Sequence, residues 1–282
     1  MASEQTQIPS TVRMAAVQAE GCYFDLPAAV EKTCRFIEEA ASKGYDLIAF
    51  PELWIPMYPG WIWQRPINFE MVTEYMEKSL RRDDPEMNTI CQCAAFNNIS
   101  VVLSYSENYN HSLYLSQSII DHNGEIKMHR RKIKPTHAER TIFGDGSGAS
   151  LMNVVDEPMV GKGEQIHVAS FPPQSALWSQ CRECAHNLST THAIEGNTFL
   201  YHIGGGGCAC IIAPDGRKLT EDLGEEEEGL LVADLDFNEI LKVKAMLDVH
   251  GHYSRLDLLW LGIDSREKRQ VRPEVGEKLT EA

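Results

Sequence analysis

The chain has 282 residues, with 26 Lys and Arg against 41 Asp and Glu, a formal charge of −15 and a 43% apolar composition. That composition supports a sizeable packed core, and the acidic balance argues against a general nucleic-acid binder or a polybasic membrane-surface protein. No stretch approaches the ~18 apolar residues of a membrane helix. The opening MASEQTQIPS has neither the basic nor the apolar region of a secretory signal, so a cytoplasmic location with no membrane and no nucleic-acid partner is expected.

In chain order, Val12 to Glu20 reads as a buried strand. Asp25 then offers an N-cap to a helix that runs up to a helix-stop glycine, Gly44. Asp46 to Phe50 is a short apolar strand ending at Pro51, followed by an aromatic loop with Trp54, Tyr58, Trp61 and Trp63. Helices are predicted over Met71 to Leu80 and Pro85 to Phe96, the second with proline in its first turn. Ile99 to Tyr105, Ser112 to Asp121 and Glu125 to His129 form a strand series, with Asn123-Gly124 as a hairpin signal. A strand at Gln165 to Ser170, a helix at Cys184 to Ile194 and strands at Asn197 to His202 and Cys208 to Ala213 follow. After the Pro214-Asp215-Gly216 turn come a strand, Gly229 to Leu235, and a helix, Phe237 to Leu247, capped by Asp236. Interleaved strands and helices with hairpins among them predict one α/β layered domain with mixed sheets.

Three places stand out chemically. Glu52 sits at the end of a buried strand and opens the aromatic loop. Surrounded by Trp54, Tyr58 and Trp61 it would be desolvated into a general base; otherwise it is a strand-end surface glutamate. The run His129 to Arg140 concentrates six basic side chains beside His137 and Glu139 in an otherwise acidic protein. If the strand continues through Ile133, Arg131 and Ile133 share one face while Arg130 and Lys132 share the other, so that one lysine can point into a site. The FGDGSG stretch that follows lacks the pattern of a phosphate loop. The glycines at 204–207 read as a structural turn.

The eight cysteines are Cys22, Cys34, Cys91, Cys93, Cys181, Cys184, Cys208 and Cys210, too sparse for a disulfide scaffold and expected to be reduced. Cys181-x-x-Cys184-x-His186, with His192 beyond, offers four zinc-type ligands but not the two separated pairs of a structural site, so no metal is expected.

The segments AVQAE, AFPELWIPMYPGWIW, HRRKIKPTHAERTIFGDGSG, GEQIHVAS, AIEGNTF, GGGGCACIIAPDGRKL and GHYSRLDLLWLG occur in this order. Together they closely resemble the nitrilase branch of the carbon–nitrogen hydrolase superfamily, over residues 12–272, with flexible termini expected at 1–11 and 273–282. The resemblance implies an α-β-β-α sandwich that pairs into a four-layer αββα core in a dimer, and a homo-oligomer acting on a small-molecule nitrile or cyanide without metal or organic cofactor. Family chemistry uses a Cys–Glu–Lys set. A thiolate attacks the nitrile carbon to give a thioimidate, water releases ammonia and leaves a thioester, and a second water yields the acid. By motif, Glu52 resembles the general base, Lys132 the lysine that stabilises tetrahedral intermediates, and Glu139 a supporting carboxylate. Lys134 is the competing lysine.

The nucleophile is what this sequence departs on. The family carries it in a Cys-Trp-Glu motif on a strand-to-helix turn, which should fall between NVVDEPMVGK and GEQIHVAS. Here Lys162 is joined directly to Gly163, and no Cys-Trp pair occurs anywhere. The shortfall is roughly two dozen residues, the length of such a strand–turn–helix unit. A second shortening is expected between Leu200 and Gly204. Three readings follow: a nitrilase chain that has lost a segment through splicing, a catalytically dead relative that serves as a binding or assembly subunit, or a hydrolase with a relocated thiol. A cyanide hydratase-like activity is the alternative substrate reading.

Overall fold

The computed structural model describes residues 11–64, 66–151, 153–154, 164–172, 179–204, 207–249, 251–255, 257–260 and 262. The Lys162–Gly163 junction, both termini expected to be flexible apart from Thr11, and residues 205–206 lie outside them.

The first sheet has six strands in the order β5-β4-β3-β2-β1-β9. They are β1 (Thr11–Gln18), β2 (Leu47–Ala49), β3 (Ser100–Tyr109), β4 (Ser112–Ile120), β5 (Ile126–Arg131) and β9 (Gly229–Asp236). β1, β2 and β3 are parallel to one another, and β4, β5 and β9 join by antiparallel pairing, giving the mixed sheet expected from sequence. β1 begins at Thr11, which pairs with Asp236, one residue ahead of the expected start. The second sheet contains β6 (Ile166–Ser170), β7 (Phe199–Ile203) and β8 (Cys210–Ile212) in that order.

Side-chain alternation sorts the strands into layers. Ala15, Val17, Ile48, Val101 and Leu103 face helices α1 (Leu26–Ser42) and α3 (Pro85–Asn97) in one core. Their neighbours Val12, Met14, Ala16, Ala49 and Val102 face the other way, against Phe199, Tyr201, Ile203, Ala209 and Ile211 of the second sheet. On the far side of that sheet Leu200, Cys210 and Ile212 meet Ala193 of α4 (Ser179–Gly196). The order helix, sheet, sheet, helix is the expected α-β-β-α sandwich. α2 (Phe69–Lys78) and α5 (Asn238–Met246) complete the described α-helices.

Local chemistry explains the boundaries. Asp25 caps α1 by accepting from the Ala28 N–H at 3.0 Å. The expected Asp236 cap is displaced by one position. Phe237 occupies the N-cap of α5 without a side-chain bond, while the Asp236 carboxylate accepts from the Asn238 N–H at 3.0 Å. The Asn123-Gly124 hairpin is present with the left-handed residue at Gly124 (φ +79°), and a bulge near Ile119 and Ile120 absorbs the extra residue. The β3–β4 hairpin turns on Asn110 and His111, both with positive φ, a turn that no glycine announces.

Candidate active site

Glu52 is aimed by the turn that leaves β2. The strand has ended by Phe50, whose N–H still donates to Val102, and Leu53 takes a left-handed conformation (φ +51°) although it is buried. Such backbone is strained for a leucine and persists only where packing enforces it. The Glu52 N–H donates to the Phe171 carbonyl at 3.2 Å, just past β6, and the Ser170 hydroxyl donates to the Phe50 carbonyl at 3.1 Å. Glu52 therefore sits on the seam between the two sheets.

Lys132 follows β5, and the expected alternation holds. Arg131 turns to the Glu107 carboxylate, donating at 2.7 and 3.1 Å, with its guanidinium over the rings of Tyr109 and Tyr114. Lys132 points to the opposite side. Its backbone is clamped from both edges: its N–H donates to Leu115, and its carbonyl accepts from Gly146 at 2.9 Å. A Cβ on Gly146 would stand 2.6 Å from the Arg131 carbonyl oxygen, so the FGDGSG stretch serves as a close-approach strap for the lysine.

Glu139 is fixed by a capping box on the short 3-10 turn His137–Thr141. The Thr136 N–H donates to its Oε2 at 2.6 Å. Tyr58 donates to its Oε1 at 3.0 Å and accepts in turn from the Trp63 indole N–H at 2.9 Å.

The three groups converge. Lys132 Nζ lies 2.9 Å from Glu52 Oε1 and 3.1 Å from Glu139 Oε2. Burial raises the Glu52 pKa; the Lys132 ammonium opposes this without cancelling it, and repulsion from Glu139 adds to it. Burial works against the Lys132 ammonium, but the two carboxylates outweigh it and hold its pKa above the usual value. At the cluster, the buried Glu52 Oε2 and, on the neighbouring Arg130, Nε are without a hydrogen-bond partner among the described residues. Arg130 also feels the Glu52 charge, although burial brings its pKa down.

Other expectations are corrected. Lys134, the competing lysine, is exposed and pairs with Asp145 at 2.5 Å, away from both carboxylates. The aromatic loop is mostly core. Trp54 packs in the helix-side core and donates to Thr33 Oγ1, and Trp61 is buried beside Tyr75, so Tyr58 and Trp63 are its members that reach the site. Arg131, Lys132 and Lys134 of the basic run are spent on internal pairs, which leaves little of a basic patch. From sequence, Tyr58 and Arg130 are marked only as neighbours of Glu52 and Lys132, and Gly146 not at all. The capping-box spacing Thr136-x-x-Glu139 was the one local signal available.

The described thiols lie elsewhere. Burial raises the pKa of Cys22, whose charged neighbours are Lys32 and Asp25, and that of Cys91, near Asp121, while Cys34 and Cys93 act on each other. Cys208 and Cys210 line a separate cleft of about 530 Å³ with Glu183, His186 and Lys218. The Cys181 side chain is outside the described residues.

The model of the family described as Carbon-nitrogen hydrolase matches residues 13–245. The chain belongs to the carbon–nitrogen hydrolase family. This carbon–nitrogen hydrolase is 43% identical to an arylacetonitrilase of Aspergillus kawachii (strain NBRC 4308) over 321 aligned residues, covering 97% of the chain and 98% of that protein. An arylacetonitrilase of Aspergillus niger (strain ATCC MYA-4892 / CBS 513.88 / FGSC A1513) is 44% identical over 311 residues, covering 93% and 95%. These relatives place it in the nitrilase branch, as an enzyme by family. Its fold resembles a mutant of the amidase of Nesterenkonia AN1, from the nitrilase superfamily, with TM-score 0.64, 18% identity and coverage of 86% and 97%. It also resembles the C. elegans NitFhit protein, with TM-score 0.70, 16% identity and coverage of 92% and 69%. No described helix of this hydrolase is long and apolar enough to cross a membrane.

Proposed function

We propose that this chain carries the base, lysine and supporting carboxylate of a nitrilase site for aryl-substituted acetonitriles, lacks its nucleophilic cysteine, and does not turn over nitriles in this form. In this reading Glu52 is the general base, prepared by burial. Lys132 stabilises the anionic tetrahedral intermediates, and Glu139 holds Lys132 in place. The observation that carries the reading is the assembled Glu52–Lys132–Glu139 cluster, whose buried Glu52 Oε2 has no partner among the described residues and no described thiol beside it. The comparisons support a missing segment. The 321 aligned positions exceed the 282 residues of the chain by 39, so at least that many positions fall opposite gaps in it. The arylacetonitrilase relatives do not favour the cyanide hydratase alternative. The reading extends to one domain over 12–272, shortened near 162/163 and 200/204, in a cytoplasmic homo-oligomer.

Losing a nucleophile that acts as part of a unit costs on the order of a millionfold in turnover. The test is ammonia release from phenylacetonitrile by the folded chain and by a chimera with the relatives' strand–cysteine–helix segment inserted between Lys162 and Gly163. No release from the chain and release from the chimera, abolished by Glu52→Gln or Lys132→Met, is the expected pattern. Release from the unaltered chain that stops on thiol blocking would establish a relocated thiol instead. Transcript sequencing separates a splicing loss from a dead relative: a message with no cysteine-bearing segment at Lys162 rules the splicing loss out.

A further inference from the structure

We propose that Glu164, His167 and His192 form a site for a zinc-class divalent metal ion that ties the strand β6 to the helix α4. This site is separate from the catalytic cluster and is independent of the nitrilase reading.

The geometry rests on two elements. On β6, Ile166 and Val168 face the inter-sheet core, so His167 and Ala169 face α4. Glu164, three residues ahead of His167, curls back so that its Oε1 lies 2.7 Å from His167 Nδ1. On α4, Ala185, Ser189 and Ala193 are buried against the sheet at i, i+4 and i+8, and His192 sits next to that stripe. Its ring centroid is 4.2 Å from that of His167, and its Nε2 is 4.0 Å from Glu164 Oε2. One donor atom from each of the three residues lies within 4.8 Å of the others.

Two imidazoles and a carboxylate are the nitrogen and oxygen donors that zinc takes, at about 2.0–2.2 Å each, in a tetrahedron whose fourth position falls to water. Metal–donor bonds of that length require the donors to draw together by roughly an ångström. Partly exposed side chains on one strand and one helix achieve this by rotamer change. The charge also suits, because the carboxylate offsets one of the two positive charges that two neutral histidines leave uncompensated.

The same structure separates His192 from the Cys181-x-x-Cys184-x-His186 motif. At 3.6 residues per turn, His186 and His192 stand about 120° apart around the helix. His186 lines the cleft with Cys208, whereas His192 stacks on His167. The imidazole beside His192 comes from a strand, which spacing along the helix does not show.

The test uses the full-length chain, stripped with a chelator and dialysed against zinc chloride, with cobalt chloride as a spectroscopic probe. The expected results are one zinc per folded chain, a visible absorption of tetrahedral intensity with cobalt, and a higher Tm with zinc. His192→Ala and His167→Ala each weaken the affinity at least about tenfold, the scale on which even outer-shell partners act. Circular dichroism verifies folding, and His192→Gln, at a half-exposed position, provides a second variant. Cys184→Ser with His186→Ala leaves the binding unchanged. The proposal is overturned if folded wild-type chain binds no zinc, if the histidine variants bind as well as wild type, or if the Cys184/His186 variant is the one that loses the metal.

Discussion

At the scale of single residues, the cluster around Lys132 makes a definite energetic demand. Its ammonium lies between two carboxylates that are largely out of water, 2.9 and 3.1 Å away. Removing one partner of such a buried arrangement typically costs about 3–5 kcal/mol, because the remaining charges lose their compensation. Lys132→Met is expected to lower stability to urea by about 3 kcal/mol, and adding Glu52→Gln should recover part of the loss by removing the repulsion with Glu139. A Lys132→Met protein as stable as wild type would mean the cluster is solvated. His202 makes a second residue-scale prediction. It is fully buried, stacked on Phe171 and hydrogen-bonded to Ser189, and burial lowers its pKa to about 4. The unfolded chain, with a histidine pKa of about 6.5, binds the proton that the folded chain refuses, so stability is present above that pH and lost as the pH falls towards 4. The loss amounts to about 3 kcal/mol at 1.36 kcal/mol per unit. In His202→Leu, the slope of stability against pH between 6.5 and 4 should flatten. Neither effect was legible in the sequence, where Lys132 was one of two candidate lysines and His202 one of ten histidines.

Among elements, turns and close approaches decide which glycines matter. Gly124 has φ +79°, and a Cβ there would stand 2.4 Å from the carbonyl oxygen of Cys91 on α3. That contact locks the β4–β5 hairpin, and with it the approach to Lys132, against the helix layer. Gly124→Ala is expected to cost about 2 kcal/mol or more, from left-handed strain and a backbone clash that a side-chain rotation cannot relieve. Gly60, where an added Cβ meets nothing within 4 Å, supplies the contrast, and Gly60→Ala should lie within about 0.5 kcal/mol of wild type by thermal unfolding. The Asn-Gly dipeptide marked the hairpin in sequence, but its packing on α3 did not show. The β3–β4 turn left no dipeptide signal at all, because Asn110 and His111 adopt positive φ through the demands of a tight two-residue hairpin rather than through glycine.

For the whole molecule, the second sheet is the weak layer. All five residues of β7 are buried, whereas all five of β6, at the edge of that sheet, are half-exposed. In the reading proposed above, the lost segment would have stood next to β6, and an uncovered edge strand invites pairing with other chains. Hydrogen exchange of the metal-free chain should therefore show β6 amides exchanging well ahead of those of β7. Equal protection in the two strands would mean that β6 is covered in solution by a partner chain. A zinc ion on Glu164, His167 and His192 would slow exchange in β6 specifically.

The sequence by itself determined the strands, the helices, the layered α/β class and the identity of the three charged candidates. Alternation, caps and turn residues act over a few neighbours, and the ordered motifs are read directly from the chain. Only the tertiary structure decided that Lys132 rather than Lys134 bridges Glu52 and Glu139, across 80 residues of chain in the first case. It also turned Trp54 and Trp61 inward to the core, and brought a strand histidine against a helix histidine. These outcomes depend on how the sheets stack and which face each side chain presents to a distant element, and no local pattern encodes either.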